Sequence, residues 1–312
     1  ANLWAASIAK NGSVQLNGLV GVTSNRADEF YQKALDAASE ILDEGPYSLF
    51  EAYPDKAKNY QYIFLDKGNS EVMFVREYNG IEVRHNWDFW MAPNNYCSGQ
   101  GSRCNPGLNL ILQYENIDGS EVDYNALFGP EHLFTDALEL FQGKDPRLFA
   151  TVLMQGSLFS SDNYVMQFYD GIDTGTEPNP DNVISNPTGI YEGYPQVGLD
   201  SRMTIGDDRN TNSGFLIRKY LAEPSLPIPE STSPTDWIRV RLAEVYLTKA
   251  EASFELDKID DAVDALNAVR ERAGISPVDE TTISLEKIQN EWFVEFAFEN
   301  RRYWDLRRWR KS

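Results

Sequence analysis

The C-terminal quarter of the chain, residues 238–311, constrains the fold more than any other part. Two stretches with apolar residues at helical spacing lead into Glu291-Trp-Phe-Val-Glu-Phe-Ala-Phe-Glu299. An arginine- and tryptophan-rich terminus follows, Arg301-Arg-Tyr-Trp-Asp-Leu-Arg-Arg-Trp309. Helices with an apolar face need a partner surface, so this order predicts a paired helical repeat closed by an acidic-aromatic helix.

Two helices are predicted between residues 235 and 274. Thr235 or Asp236 is expected to cap the first, which runs to about Leu256. Asp260 is expected to cap the second, and Gly274 to end it, because glycine readily adopts the left-handed conformation that closes helices.

The second of these helices resembles half of a tetratricopeptide unit, with the pattern Ala262-x3-Leu266-x2-Val269. Residues 25–44 repeat the theme, with Asn25 as a cap and Gly45-Pro46 as a left-handed stop. The spacing exceeds a standard repeat, so the repeat is degenerate. The fold class predicted is mostly α, a degenerate tetratricopeptide-like helical scaffold with a long loop-rich region containing a few short strands.

Regular structure is hard to find from residue 79 to 230, where Gly, Asn, Pro, Asp and Ser recur among aromatic residues. Long irregular segments in compact proteins commonly carry binding residues. Strands are predicted at 71–78, 151–158 and 214–221, a helix at 134–142 and a turn at 143–147. We expect a single domain over 1–312, with a helical scaffold at 1–60, a loop-rich ligand region at 61–234 and a C-terminal helical repeat at 235–312.

Charge and hydropathy exclude some classes of partner. The chain has 312 residues, with 48 acids against 28 bases, and its net charge of −20 would repel nucleic acid. No run of 18 apolar residues is present, so no transmembrane helix is predicted.

The two cysteines, Cys97 and Cys104, are separated by six residues in a loop rich in Gly, Asn and Pro. This spacing is compatible with a small disulfide-closed ring, which would indicate an oxidising compartment. A pair of free thiols is the alternative.

Several short segments resemble a known family and occur in its order along nearly the whole chain. They are residues 30–49, 69–74, 143–147, 214–220, 238–251 and 267–274, followed by the Arg-Trp terminus. Each is weak alone, but together they are specific. The chain resembles the SusD/RagB family, surface lipoproteins of Bacteroidetes that capture nutrients, mostly glycans, for an outer-membrane transporter.

The resemblance implies a non-catalytic protein on the outer membrane that binds oligo- or polysaccharide and passes it to a SusC-like, TonB-dependent transporter. The family's lipid-carrying cysteine and first helical repeats have no counterpart in this sequence. We therefore expect the chain to be the larger C-terminal part of such a protein, with the lipid anchor outside it. The identity of the glycan is not encoded in a fixed motif.

Aromatic rings in the loop-rich region are the candidate glycan platforms, because the C–H groups of a sugar pack on a ring face while polar side chains bond its hydroxyls. Packing of the same tryptophans into the core is the alternative. The main candidates lie beside the cysteine pair, and a tyrosine pair follows later in the chain. The residues are Arg84, Trp87, Trp90, Asn94, Asn95, Tyr96, Tyr191 and Tyr194.

Other polar clusters are assigned structural roles. Glu291, Glu295 and Glu299 fall on one helical stripe beside the terminal arginines, which favours ion pairs over the acid/base pair of a glycosidase. The segment 170–177 carries oxygens at Ca²⁺-like spacing but lacks the twelfth-position glutamate of an EF-hand, so we interpret it as a solvated turn and predict no cofactor.

Three alternatives to a glycan binder stay open at this point. One is a glycoside hydrolase whose acids lie near the same aromatics. Another is a relative that binds peptides or glycopeptides, and the third is a structural lid that serves the transporter alone.

Overall fold

The computed structural model describes residues 1–11, 25–123, 141–160, 163–166, 168, 190–191, 194–195, 200, 211 and 213–311. Its helices are α1 Asn2–Lys10, α2 Ala27–Glu44, α3 Lys56–Ile63, α4 Trp87–Met91, α5 Leu108–Ile111, α6 Pro146–Thr151, α7 Leu242–Glu255, α8 Ile259–Ala273, α9 Leu285–Glu295 and α10 Arg302–Trp309. Its strands are β1 Val72–Arg76, β2 Val152–Leu153, β3 Leu158–Phe159, β4 Tyr164–Val165, β5 Ile190–Tyr191, β6 Tyr194–Pro195, β7 Leu216–Ile217 and β8 Trp237–Arg241. The mostly helical, loop-rich fold class is confirmed.

Helices from both ends of the chain form one scaffold. α7 packs between α2 and α8, while α1 contacts α2 and α10. Small residues let these helices approach closely: Ala34 on α2, Ala250 on α7 and Ala262 on α8 are buried in a single apolar cluster. The predicted helical repeat is therefore an assembled unit, although its halves are about 200 residues apart.

The ends of the predicted helices are mostly where the sequence indicated. Asn25 Oδ1 accepts a hydrogen bond from Ala27 N at 3.0 Å, although the cap residue of α2 is Arg26. Gly274 ends α8 with φ +83°. Gly45, in contrast, is extended rather than left-handed, with φ −75°. Glycine is required there because a Cβ would lie 2.4 Å from Ile41 O.

The predicted start of the helix at residue 235 is wrong. Residues 237–241 form strand β8, which pairs antiparallel with β1, and α7 begins only at Leu242. Asp236 does not cap a helix because its Oδ1 accepts hydrogen bonds from Tyr78 N at 2.7 Å and Lys67 Nζ at 2.8 Å. Asp260 lies in the first turn of α8 rather than at its cap, which is Lys258.

The loop-rich region contains a core of its own. The strand predicted at 71–78 is β1, whereas the strands predicted at 151–158 and 214–221 shrink to the two-residue pair β2 and β7. Phe89, Phe159 and Leu216 are buried in a second apolar cluster beneath the irregular chain. The helix predicted at 134–142 lies almost wholly outside the described residues.

A buried ionic network joins this region to the scaffold. Glu295, at the end of α9, accepts hydrogen bonds from three arginines that lie far apart in sequence. The donors are Arg147 at 2.7 Å, Arg241 at 2.5 Å and Arg272. All four side chains are at most 1% exposed.

The carboxylates on either side of Glu295 extend the network. Glu291 pairs with Arg147 and with Arg270 at 3.2 Å. Glu299, beyond the end of α9, pairs with Arg241 at 2.8 Å and Lys219 at 2.6 Å. The predicted ion pairs are confirmed, but these partners come from distant segments and not from the adjacent terminal arginines.

Candidate functional site

One of the predicted ring platforms is a core residue, and a second is half-buried against the core. Tyr96 is 1% exposed, and its ring lies edge-on to Phe159 at 4.9 Å. Trp87 is half-buried, donates its indole N–H to Lys219 O at 3.2 Å and contacts the Trp237 ring at 5.1 Å. The segment that the sequence indicated as a loop folds as helix α4, which turns Trp87 inward. As an exposed sugar platform, Tyr96 is a wrong prediction.

The polar neighbours of these rings divide in the same way. Asn94 is buried at 3% exposure, which removes it from contact with a ligand on the surface. Asn95 and Arg84 are exposed. Trp90 is half-buried, and the Arg103 guanidinium lies 5.1 Å from its ring centroid, so one ring face carries a cation–π contact.

The remaining candidates fall on parts of the chain of which little is described. Tyr191 and Tyr194 pair with each other in the backbone register of β5 and β6, but their side chains lie outside the described residues. The segment 170–177, with its Ca²⁺-like spacing, also lies outside them. Within the described ranges, no group of three or more His, Cys, Asp or Glu is arranged to hold a metal ion.

Both cysteines are free thiols, so the predicted disulfide is absent from the structure. Cys97 is buried, with Sγ 3.7 Å from Asp88 O, and burial raises the pKa of its thiol to about 12. The main chain of Cys104 accepts a hydrogen bond from Ile217 N at 3.4 Å. These contacts hold the two cysteines to different elements.

A cavity of about 800 Å³ lies beside the β1–β8 pair, and it is the strongest candidate for a ligand site in the described part of the chain. Ile63, Phe64 and Ile238 are buried and give it an apolar surface. The polar side chains around them are more exposed. They are Asp66, Lys67, Arg76, Glu77 and Asn79, together with the half-buried Tyr78.

Hydrogen bonds fix the loop that carries Tyr78. Asn79 Oδ1 accepts from the backbone N–H of Ile81, Glu82 and Val83 at 2.9–3.0 Å. The Tyr78 ring lies edge-on to His85 at 4.5 Å. A loop that is already ordered costs less free energy to present to a ligand, so the cavity is preorganised.

The cavity combines the groups that recognise a neutral polyhydroxylated ligand. Tyr78 supplies ring surface, while Arg76, Lys67, Glu77 and Asn79 supply donors and acceptors for hydroxyl groups. Lys67 Nζ also bonds Asp236 and Tyr78 O, which orients its ammonium at the edge of the cavity.

Residues 70–312 match the SusD family, which is more than three quarters of the chain. The chain belongs to the SusD family. Helices α7 and α8 and the ionic network around Glu295 lie within the matched segment, whereas α2, which packs on α7, lies before it.

Relatives of this SusD-family chain include the starch-binding protein SusD of Bacteroides thetaiotaomicron, 42% identical over 81 residues, 26% of this chain and 14% of that protein. A SusD-like carbohydrate-binding protein from Bacteroides fragilis matches with a TM-score of 0.64 at 23% identity, over 95% of this chain and 54% of that one. Surface glycan-binding protein A from Bacteroides thetaiotaomicron, in complex with laminarihexaose, matches with a TM-score of 0.54 at 19% identity, over 91% and 51%. The chain thus spans about half the length of these solved relatives, and likeness at such identity shows the fold.

Sequence reasoning missed the residues that line the cavity. Tyr78 was assigned to the end of a strand, and Phe64 was not singled out within the predicted ligand region 61–234. The Asn79-Gly80 turn after β1 was the one available signal, because it brings the chain back towards β8.

No described helix is both long enough and apolar enough to cross a bilayer.

Proposed function

We propose that this SusD-family protein binds carbohydrate without cleaving it, in the cavity beside Tyr78, and that the full-length protein passes the ligand to a SusC-like, TonB-dependent transporter. The observation that carries the proposal is the cavity itself, whose buried apolar surface is ringed by polar side chains. Arg84, Trp90 and Asn95, which are exposed or half-buried, stay further candidates for glycan contact.

The relatives support carbohydrate as the ligand class. One of them is named for starch, and another was solved with laminarihexaose. The position of Tyr78 is consistent with a ring platform, since its backbone is held by Asp236 and Lys67 independently of the side chain.

Binding of soluble starch and laminarihexaose by Tyr78→Ala tests the proposal. We expect affinity to fall about tenfold, because truncation of a central aromatic contact removes a large share of binding free energy. Phe74→Ala is the matched control, since Phe74 lies on the preceding strand, is 65% exposed and is outside the cavity lining. Equal affinities for the two variants and the wild type would overturn the assignment of the cavity.

The ion pairing of the buried carboxylates argues against the acid/base pair of a glycosidase among them. Burial alone would raise the pKa of Glu295, but Arg272, Arg241 and Arg147 outweigh it and hold the pKa well below its usual range. An ionised carboxylate is not a general acid. Incubation with the same glycans should release no reducing ends; a time-dependent release by the wild type would favour a glycoside hydrolase.

The transporter partner, the surface location and the lipid anchor are proposed from the family resemblance. Affinity purification of the full-length protein from detergent-solubilised native outer membranes should recover a TonB-dependent transporter. Recovery of the protein from the soluble fraction alone would contradict the surface location.

A further inference from the structure

A second concave surface lies on the other side of strand β8. Alternate side chains of a strand face opposite ways, and Trp237 and Arg239 point away from Asp236, which lines the first cavity. The second groove has a volume of about 560 Å³. Its lining comes from the N-terminal helix α1, from β8 and from the turn before α10.

Three tryptophans line this groove, each from a different element. Trp4 lies on α1, Trp237 on β8 and Trp304 on α10. The Trp4 and Trp304 rings meet edge-on at 5.9 Å, and Trp304 remains 52% exposed. The far face of Trp237 is occupied by Tyr220, stacked at 4.6 Å, so its ring is held in place.

Three of the four charged side chains in the groove are held by internal ion pairs. The lining includes Arg239, Arg301, Glu299 and Asp305, two bases and two acids. Glu299 is bonded by Arg241 and Lys219, and Arg301 by Glu244. Asp305 accepts from Arg308 at 2.8 Å.

A neutral ligand suits this arrangement better than a charged one. The paired ions gain little from a new charge, because a charged ligand would have to break an existing ion pair to bind them. Arg239 and Asn300 give donors and acceptors close to the three tryptophan rings. The apolar side chain other than the rings is Ile238, too little for an aliphatic peptide groove.

From this geometry we infer a second carbohydrate subsite, in which Trp4, Trp237 and Trp304 pack against a glycosyl unit and Arg239 and Asn300 bond its hydroxyls. The inference rests on the proposed function, because it assigns the same ligand class to a separate place. Two sites on one chain would let a single polysaccharide be held at two points, which raises the apparent affinity for long chains over short ones.

Isothermal titration with maltohexaose and laminarihexaose separates the two sites. The wild type is expected to bind two molecules of at least one probe per chain. Trp304→Ala should retain the Tyr78 site and lose the second, with about tenfold or greater weakening of that phase. Tyr78→Ala should do the reverse, and Trp304→Phe should keep both.

Tyr303→Ala is the matched control, because Tyr303 is 60% exposed, touches the Trp304 ring at 5.1 Å and is outside the groove lining. Arg239→Ala provides a second probe of the groove through an exposed side chain, so the test does not depend on one tryptophan variant folding.

Each outcome decides something different. One site that is lost in Tyr78→Ala and unchanged in Trp304→Ala overturns the second subsite and leaves the proposed function standing. One site lost only in Trp304→Ala moves the proposed function away from the first cavity. Absence of binding to any probe overturns both. A concentration-dependent dimer in sedimentation that Trp304→Ala abolishes, with glycan binding unchanged, overturns the second subsite alone.

Discussion

The helical scaffold and the loop-rich region stabilise themselves with different side chains. In the scaffold, the acid-rich end of α9 is surrounded by buried arginines, and small residues close the helix contacts. In the loop-rich region, aromatic rings such as Tyr96 and Phe159 fill the space that irregular backbone leaves. Two ion pairs join the regions: Arg147 and Lys219, from the loop-rich region, bind Glu295 and Glu299 respectively.

Aromatic residues in irregular segments are therefore not by themselves a sign of a ligand site. Backbone without regular pairing still has to exclude water from its interior, and large rings do so with few residues. A ring in a loop is therefore evidence of packing first. Ligand-binding rings are better sought where a ring lines a concave surface, as Tyr78 and Trp304 do.

The ionic core of the scaffold gives the largest expected effect. Glu295→Gln keeps the side-chain volume but leaves Arg147, Arg241 and Arg272 without their shared carboxylate. Unfolding free energy should fall by about 4–5 kcal/mol, the upper range for breaking a buried ion pair. Urea denaturation measures it. Glu29→Gln, an exposed ion-pair carboxylate on α2, is the control and should leave the midpoint unchanged.

Removing a buried ring from the loop-rich region should have the next largest effect. Tyr96→Ala should cost roughly 3 kcal/mol, the lower end for truncation of a buried aromatic, because neighbouring loops relax into the cavity. Laminarihexaose affinity of the folded variant should be unchanged. A normal melting temperature with lost affinity would return Tyr96 to the ligand site.

Acid should weaken the scaffold through the same network. The pKa of Glu295 is held well below its usual value, so its stabilising contribution is present above about pH 4.5 and is lost as pH falls towards the folded-state pKa. The slope reaches about 1.4 kcal/mol per pH unit for one proton. Glu295→Gln should show a shallower loss of stability between pH 4.5 and 3 in thermal melts; an identical slope would assign acid unfolding to other groups.

The smallest stability effect is expected at Trp90, whose ring is partly in the core and partly accessible to a ligand. Trp90→Ala removes a half-buried ring that packs against the loop core and contacts Arg103. It should cost roughly 1–2 kcal/mol while weakening glycan affinity severalfold. Differential scanning calorimetry together with starch-affinity gels separates the two. A loss near that of Tyr96→Ala with unchanged affinity would make Trp90 a core residue.

Local sequence periodicity was enough to predict most of the helical scaffold. The helix at 27–44, the left-handed end at Gly274 and the pairing of Glu291, Glu295 and Glu299 with arginines all follow from residues within a few turns or from charge complementarity. Strand β8 was missed because its alternation is short and runs directly into helix α7, and only pairing with β1 decides its conformation.

The site was less accessible to prediction. Trp87, Tyr96 and Trp90 occur within ten residues, and spacing alone does not tell which ring faces the core. Tyr78 and Asp236 are about 160 residues apart and meet only because β1 and β8 pair. Such juxtapositions depend on long-range packing and leave no local pattern.

The amino-acid order by itself determined the helical character, the acidic surface and the family, since each depends on nearest-neighbour spacing or on composition. Tertiary packing decided which charges are buried together, which rings face inward and where concave surfaces form. The physical reason is that burial is a collective property: a side chain loses water only when distant segments close over it, and here those segments come from opposite ends of the chain.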